Sequence, residues 1–164
     1  MTAMTRVLFA AAVIAIGFGV RDVASQGQSV TITLPAAVTF AVTNVGATTI
    51  GNPAATRVSF NGAVINANRA VRIGVRADAD LTPPSAGATI ITANRVSWTT
   101  AGAVNGVGFN GTLSRAAYTN LFDGNENATS GQVDVTWRLA ALTLPVRAGA
   151  HMLAMRWRIQ SINP

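Results

Sequence analysis

Residues 133–139 read VDVTWRL. Val133, Val135, Trp137 and Leu139 take every second position, and Asp134, Thr136 and Arg138 fill the gaps. Successive side chains of a strand point to opposite faces, so this period puts the apolar groups on one side and the polar groups on the other. A helix would need apolar residues three and four apart. The run therefore predicts a strand with one buried face and one wet face.

The same reading extends in both directions. SVTITL (29–34) sets Val30, Ile32 and Leu34 against Thr31 and Thr33. VTFAV (38–42) aligns Val38, Phe40 and Val42, and RVSF (57–60) aligns Val58 with Phe60. AVRIGVRA (70–77) turns Val71, Ile73 and Val75 inward and Arg72 and Arg76 outward, while RVSW (95–98) pairs Val96 with Trp98. HMLAMRWRI (151–159) aligns Leu153, Met155, Trp157 and Ile159, which sends Arg156 and Arg158 to the opposite face. All three tryptophans are thus expected in the core.

Turn chemistry separates these runs. Pro35 parts the first two strands, GNPAA follows Ile50, and Pro83-Pro84 cannot donate to a ladder. Asn61-Gly62 has the chemistry of a type I′ hairpin turn, which needs two positive φ values. SRAAYTNLF (114–122) has room for a turn or two of helix, and no sustained helical period occurs elsewhere after residue 26. The expected fold is an all-β antiparallel sandwich, immunoglobulin-like or pilin-like, of about seven to nine strands. It forms a single domain over residues 26–164.

Ahead of that domain, MTAMTRVLFAAAVIAIGFGVRDVASQ has the layout of a secretory signal peptide. Arg6 precedes an apolar run from Val7 to Val20, and Val23-Ala24-Ser25 supplies small residues for cleavage after Ser25. The run is shorter than the roughly 20 residues of a membrane-spanning helix, so residues 1–25 read as a removable leader rather than a retained anchor. Secretion, to the periplasm or beyond, is the expected location, with no membrane span in the mature chain.

Composition narrows the chemistry. The chain of 164 residues is 49% apolar and only 11% charged, so its polar surface rests on Thr, Ser, Asn and Gln. All 12 basic residues are Arg, which removes Lys-based Schiff-base and isopeptide chemistry. The absence of Cys removes disulfides, thiol nucleophiles and zinc thiolate sites. The net charge of +6 gives a general attraction to anionic envelope polymers. Export and the lack of an aromatic-basic motif argue against nucleic acid.

Few motifs carry chemistry. GVGFNG (106–111) spells G-x-G-x-x-G, but no βαβ alternation surrounds it, so it reads as a mobile surface loop and not a cofactor site. His151 is the single histidine, with inward parity, and reads as a partly buried residue at a strand end. Asp78 and Asp80 share a face with Arg72 and Arg76 and read as charge compensation. Asp123, Asn125 and Asn127 have a faint calcium-loop spacing. Ca²⁺ wants about six to eight oxygens and a bidentate Glu, which is missing, so a turn is the simpler reading. No cofactor or resident metal is expected.

Signal peptide, strand number and Thr/Asn/Gly-rich strands over residues 26–164 together resemble exported bacterial immunoglobulin-like and fimbrial-subunit-type sandwiches. Fimbrial subunits often carry a disulfide, which this chain lacks. The resemblance implies a secreted or cell-surface structural or adhesive protein without catalytic activity. The alternative is an extracellular module binding glycan or another ligand through the loop aromatics Phe109, Tyr118 and Phe122. Val30, Ile32 and Leu34, next to the cleavage point, form an assembly strand candidate. They could pair within their own domain or add to a neighbour's sheet edge.

Overall fold

The computed structural model describes residues 21–25, 28–35, 37–143 and 145–164. The leader's apolar run and Gln26 lie outside them. The described residues form twelve strands: β1 (Arg21–Ser25), β2 (Gln28–Thr33), β3 (Ala37–Val42), β4 (Thr49–Ile50), β5 (Thr56–Asn61), β6 (Ala70–Ala77), β7 (Val96–Val104), β8 (Gly106–Gly108), β9 (Gly111–Thr112), β10 (Thr119–Gly124), β11 (Ser130–Leu139) and β12 (Gly149–Ile162). Every pairing is antiparallel. A seven-stranded sheet runs β1-β2-β5-β11-β7-β9, with β4 also on β11, and a five-stranded sheet runs β3-β12-β6-β10-β8. The excess over the expected strand number comes from short strands that local alternation is too brief to mark.

The two sheets close on one core. Val58, Phe60, Val96, Trp98, Val133, Val135, Trp137 and Leu139 of the larger sheet meet Val38, Phe40, Ile73, Val75, Phe122 and Leu153 of the smaller in a single cluster. Phe60 packs on Phe122 across the gap with ring centroids 6.2 Å apart, and Trp137 packs edge-on to Trp157 at 6.4 Å. Trp137 Nε1 donates to Thr56 Oγ1 at 2.9 Å, so the indole is buried without leaving its polar atom orphaned.

β2 pairs in its own chain, with Ile32 opposite Phe60 of β5, and Val30, Ile32 and Leu34 are partly buried against the core. Leu34 and Pro35 then carry the chain across to β3 in the other sheet. The last five residues of the expected leader, as β1, form the strand outside β2.

Four expectations change. Asn61 stays in β5 and only Gly62 takes a positive φ, 74°. The chain crosses there to β6 in the other sheet, so there is no hairpin. SRAAYTNLF forms no helix: Ser114 Oγ accepts from the amides of Ala116 and Ala117, and β10 begins at Thr119. GVGFNG is not a free loop but two short edge strands, β8 on β10 and β9 on β7. Gly111 is required there because an added Cβ would stand 2.5 Å from the Trp98 indole. Finally, Trp157 is half-buried and Ile159 is 38% exposed, whereas Trp98 and Trp137 are sealed.

Candidate functional site

The outer face of the five-stranded sheet gathers four arginines, Arg72 and Arg76 of β6 and Arg156 and Arg158 of β12. On β6, Arg72, Gly74 and Arg76 alternate with the buried Val71, Ile73 and Val75. Register places Arg156 of β12 directly opposite Arg76, Arg158 opposite Gly74, and Gln160 opposite Arg72. On the other flank of β6, Asn120 lies opposite Gly74 and Asp123 opposite Arg72.

Carboxylates neutralise part of this face. Arg72 makes a two-pronged pair with Asp123, at 2.8 and 2.7 Å, and these hydrogen bonds hold the Arg72 guanidinium above its ordinary value. Arg156 pairs with Asp78, and Arg115 with Asp80 at 2.7 Å. Asp78 and Asp80 thus compensate arginines from other segments rather than Arg72 and Arg76.

Arg76 and Arg158 have no carboxylate partner among the described residues. Both instead lie over the Tyr118 ring, with guanidinium carbons 5.3 and 4.7 Å from its centroid. Cation–π contact offsets part of their repulsion without removing their charge. Gly74 makes the arrangement fit. An added Cβ there would meet the Thr119 carbonyl at 3.3 Å and the Tyr118 Cβ at 3.6 Å. Arg76 also donates from Nη1 to the Arg115 carbonyl at 3.0 Å, while its Nε and Asn120 Oδ1 are enclosed without a hydrogen-bond partner.

The three aromatic candidates separate. Tyr118 is half-buried in the arginine cluster, and Phe109 is 38% exposed. Phe109 is held at its backbone, where the carbonyl accepts from Trp98 Nε1 at 2.7 Å and the amide donates to Leu121 O at 2.8 Å. Phe122 is not a loop residue. It lies in β10 at 0% exposure and is withdrawn from the ligand-contact set. A bulge explains this: Asn120 faces Gly74 and Phe122 faces Ile73, so Leu121 is an extra residue between them.

The calcium candidates also disperse. Both Asp123 oxygens are committed to Arg72, Asn127 Oδ1 accepts from the Asn68 amide, and the Asn125 amide donates to Asn105 O. No group of three or more His, Cys, Asp or Glu among the described residues is placed to hold a metal ion. His151 is fully buried, more so than expected. Its Nε2 donates to the Arg147 carbonyl at 3.0 Å, and Nδ1 has no partner.

A concavity lies in the other sheet, where β5 ends and β11 begins. It measures about 390 Å³ and is lined by Ser59, Asn61, Val104, Asn105, Ser130 and Gln132 among others. Its lining residues are uncharged, and it suits a neutral hydrogen-bonding ligand more than an ion.

The directions of Arg156 and Arg158 are legible in RWR. Tyr118 is not, because it arrives from the segment before β10. The available signal is Gly74, an outward glycine between two outward arginines, which marks a place where something lies flat on the sheet. Comparison with known proteins finds no matching family model, no similar curated protein and no similar solved structure.

Proposed function

We propose that the chain is an exported, non-enzymatic structural or adhesive sandwich, of immunoglobulin-like or fimbrial-subunit type, that associates with further copies through an open sheet edge. The observation that carries this reading is the second half of β12. Gly149–Ala154 pair with β3, whereas Met155–Ile162 pair with β6. β3 begins at Ala37, opposite Ala154, and beyond that point no described strand lies on the flank of β12 away from β6. A row of unpaired backbone groups beside half-exposed apolar side chains is a template for another strand. Trp157, whose Nε1 has no partner, and Ile159 lie along that edge.

The state of the polar groups supports the non-enzymatic part. Asp78, Asp80, Asp123 and Asp134 are each held by an arginine, and the histidine is sealed. A neighbour's β2, which keeps its own pairing with β5 through the strand of Val30, Ile32 and Leu34, can offer its other flank to the β12 edge. Removal of residues 1–25 by leader cleavage would also strip β1 from β2, baring a second edge. Mass spectrometry of secreted chain should then find an N-terminus at or near Gln26. An intact Met1 would overturn export by cleavage.

The test is sedimentation of the secreted chain over about a hundredfold range of concentration. Association that rises with concentration is expected. Ile159→Lys, an inward-pointing charge at an edge, should abolish it while leaving the far-ultraviolet spectrum unchanged. A monomer at every concentration would overturn the reading. The ligand-binding alternative, favoured by the exposed Phe109 and by Tyr118 under its two arginines, would then lead.

A further inference from the structure

Like charges placed directly opposite on neighbouring strands destabilise a sheet. Here Arg76 and Arg156 are direct partners, and Arg158 is two residues along the same face. Among these three cations stands one carboxylate, Asp78, held by Arg156. Arg69 lies off this face: it has the inward parity of Val71 and Ile73, and it bonds Ser161 and Asn163. Arg72, at the far end of the outer face, is paired with Asp123. Among the described residues, Arg76 and Arg158 are therefore left without a carboxylate on the outer strip of the β6–β12 ladder. From Arg156 and Arg76 to Gln160 and Arg72 that strip runs about 13 Å at roughly 3.3 Å per residue.

We propose that this strip binds a linear acidic polysaccharide, its carboxylate or sulfate groups seated on Arg76 and Arg158 at Tyr118. This does not depend on the edge-association reading. Three observations select this occupant. Same-face residues along a strand repeat at about 6.6 Å, so Arg156, Arg158 and Gln160 form a straight row suited to an extended polyanion. Gln160, the neutral hydrogen-bonding member of that row, can meet sugar hydroxyls. The Tyr118 ring already carries two guanidinium groups, which leaves no free platform of the kind single-stranded nucleic acid uses for base stacking. Stacking also fixes the two side chains before a ligand arrives, so less side-chain freedom is lost on binding.

The experiment is a binding titration of the secreted chain against polygalacturonate, which carries carboxylates, and dextran sulfate, which carries sulfates, at several salt concentrations. At least one should bind, with affinity falling as salt rises. Arg158→Gln should weaken binding about tenfold, and Arg76→Gln with Arg158→Gln should lower the salt dependence by roughly two ions. Arg138→Gln is the control, since it removes the same charge from the outer face of the seven-stranded sheet and should change affinity less than twofold. Equal losses in Arg138→Gln and Arg158→Gln would reduce the effect to net charge and overturn the proposal. So would failure of both polymers to bind. Vesicles rich in phosphatidylglycerol and duplex DNA form the remaining arms. If either binds with the same arginine dependence while neither polysaccharide does, the ligand class is wrong.

Discussion

β11 and β12 carry the same apolar alternation and meet different fates. Val133, Val135, Trp137 and Leu139 of β11 are at most 1% exposed. On β12, Leu153 is sealed, Met155 and Trp157 are half-buried and Ile159 is 38% exposed. The difference follows from neighbours. β11 is flanked by β5 and β4 on one side and β7 on the other. β12 exchanges β3 for β6 at Ala154 and runs on with no described strand on its other flank. Period two reports which way a side chain points. It carries no information on whether anything stands beside the strand to cover it.

Truncations at the two tryptophans sharpen this contrast. Trp137→Ala should cost roughly 3–5 kcal/mol in denaturant unfolding, since it empties a fully buried site that also contacts Trp98 and Trp157. Trp157→Ala should cost about half as much, because the side chain keeps one side in solvent. Equal costs would break the comparison and place a covering element over β12. Thr56→Val comes next, at about 1–3 kcal/mol, because it leaves Trp137 Nε1 buried without an acceptor. The smallest effect belongs to the exposed pair Arg57–Asp134, at 2.9 Å on the outer face of the larger sheet. Its hydrogen bonds hold Asp134 below the usual carboxylate range. That contribution is present above the ordinary Asp value and is lost as pH falls through the lowered one. Asp134→Asn should therefore narrow the stability difference between neutral and acidic pH in thermal melts, and only slightly, as expected for a surface pair.

The inward faces of β3, β5, β6, β7 and β11 could be read from the sequence because each depends only on alternation within a strand. Ile159 could not, for the reason β12 illustrates. Asn61-Gly62 has the right local chemistry for a hairpin, yet the next apolar run pairs with β12 and β10 rather than β5, and no local signal encodes that choice. The glycines of GVGFNG match a cofactor fingerprint by letter. Their requirement is set by bulk from distant residues, Trp98 at Gly111 and Phe122 at Gly106. Phe122 reads as a loop residue because the bulge at Leu121 sets two apolar residues side by side and breaks the period-two pattern of β10. At the candidate site, arginine directions were legible. The Tyr118 contact was not, since it joins β12, β6 and the segment before β10.

We propose that the second half of β12 is an open edge that a second copy covers. Residue-resolved amide hydrogen exchange of the secreted chain at low and high concentration tests it most directly. Every second amide across Met155–Ile162, those pointing away from β6, should exchange rapidly in dilute solution and gain protection as concentration rises. Amides of β11 over Val133–Leu139 should stay protected throughout. Protection of all β12 amides in dilute solution, or fast exchange of the outward set at every concentration, would contradict the claim.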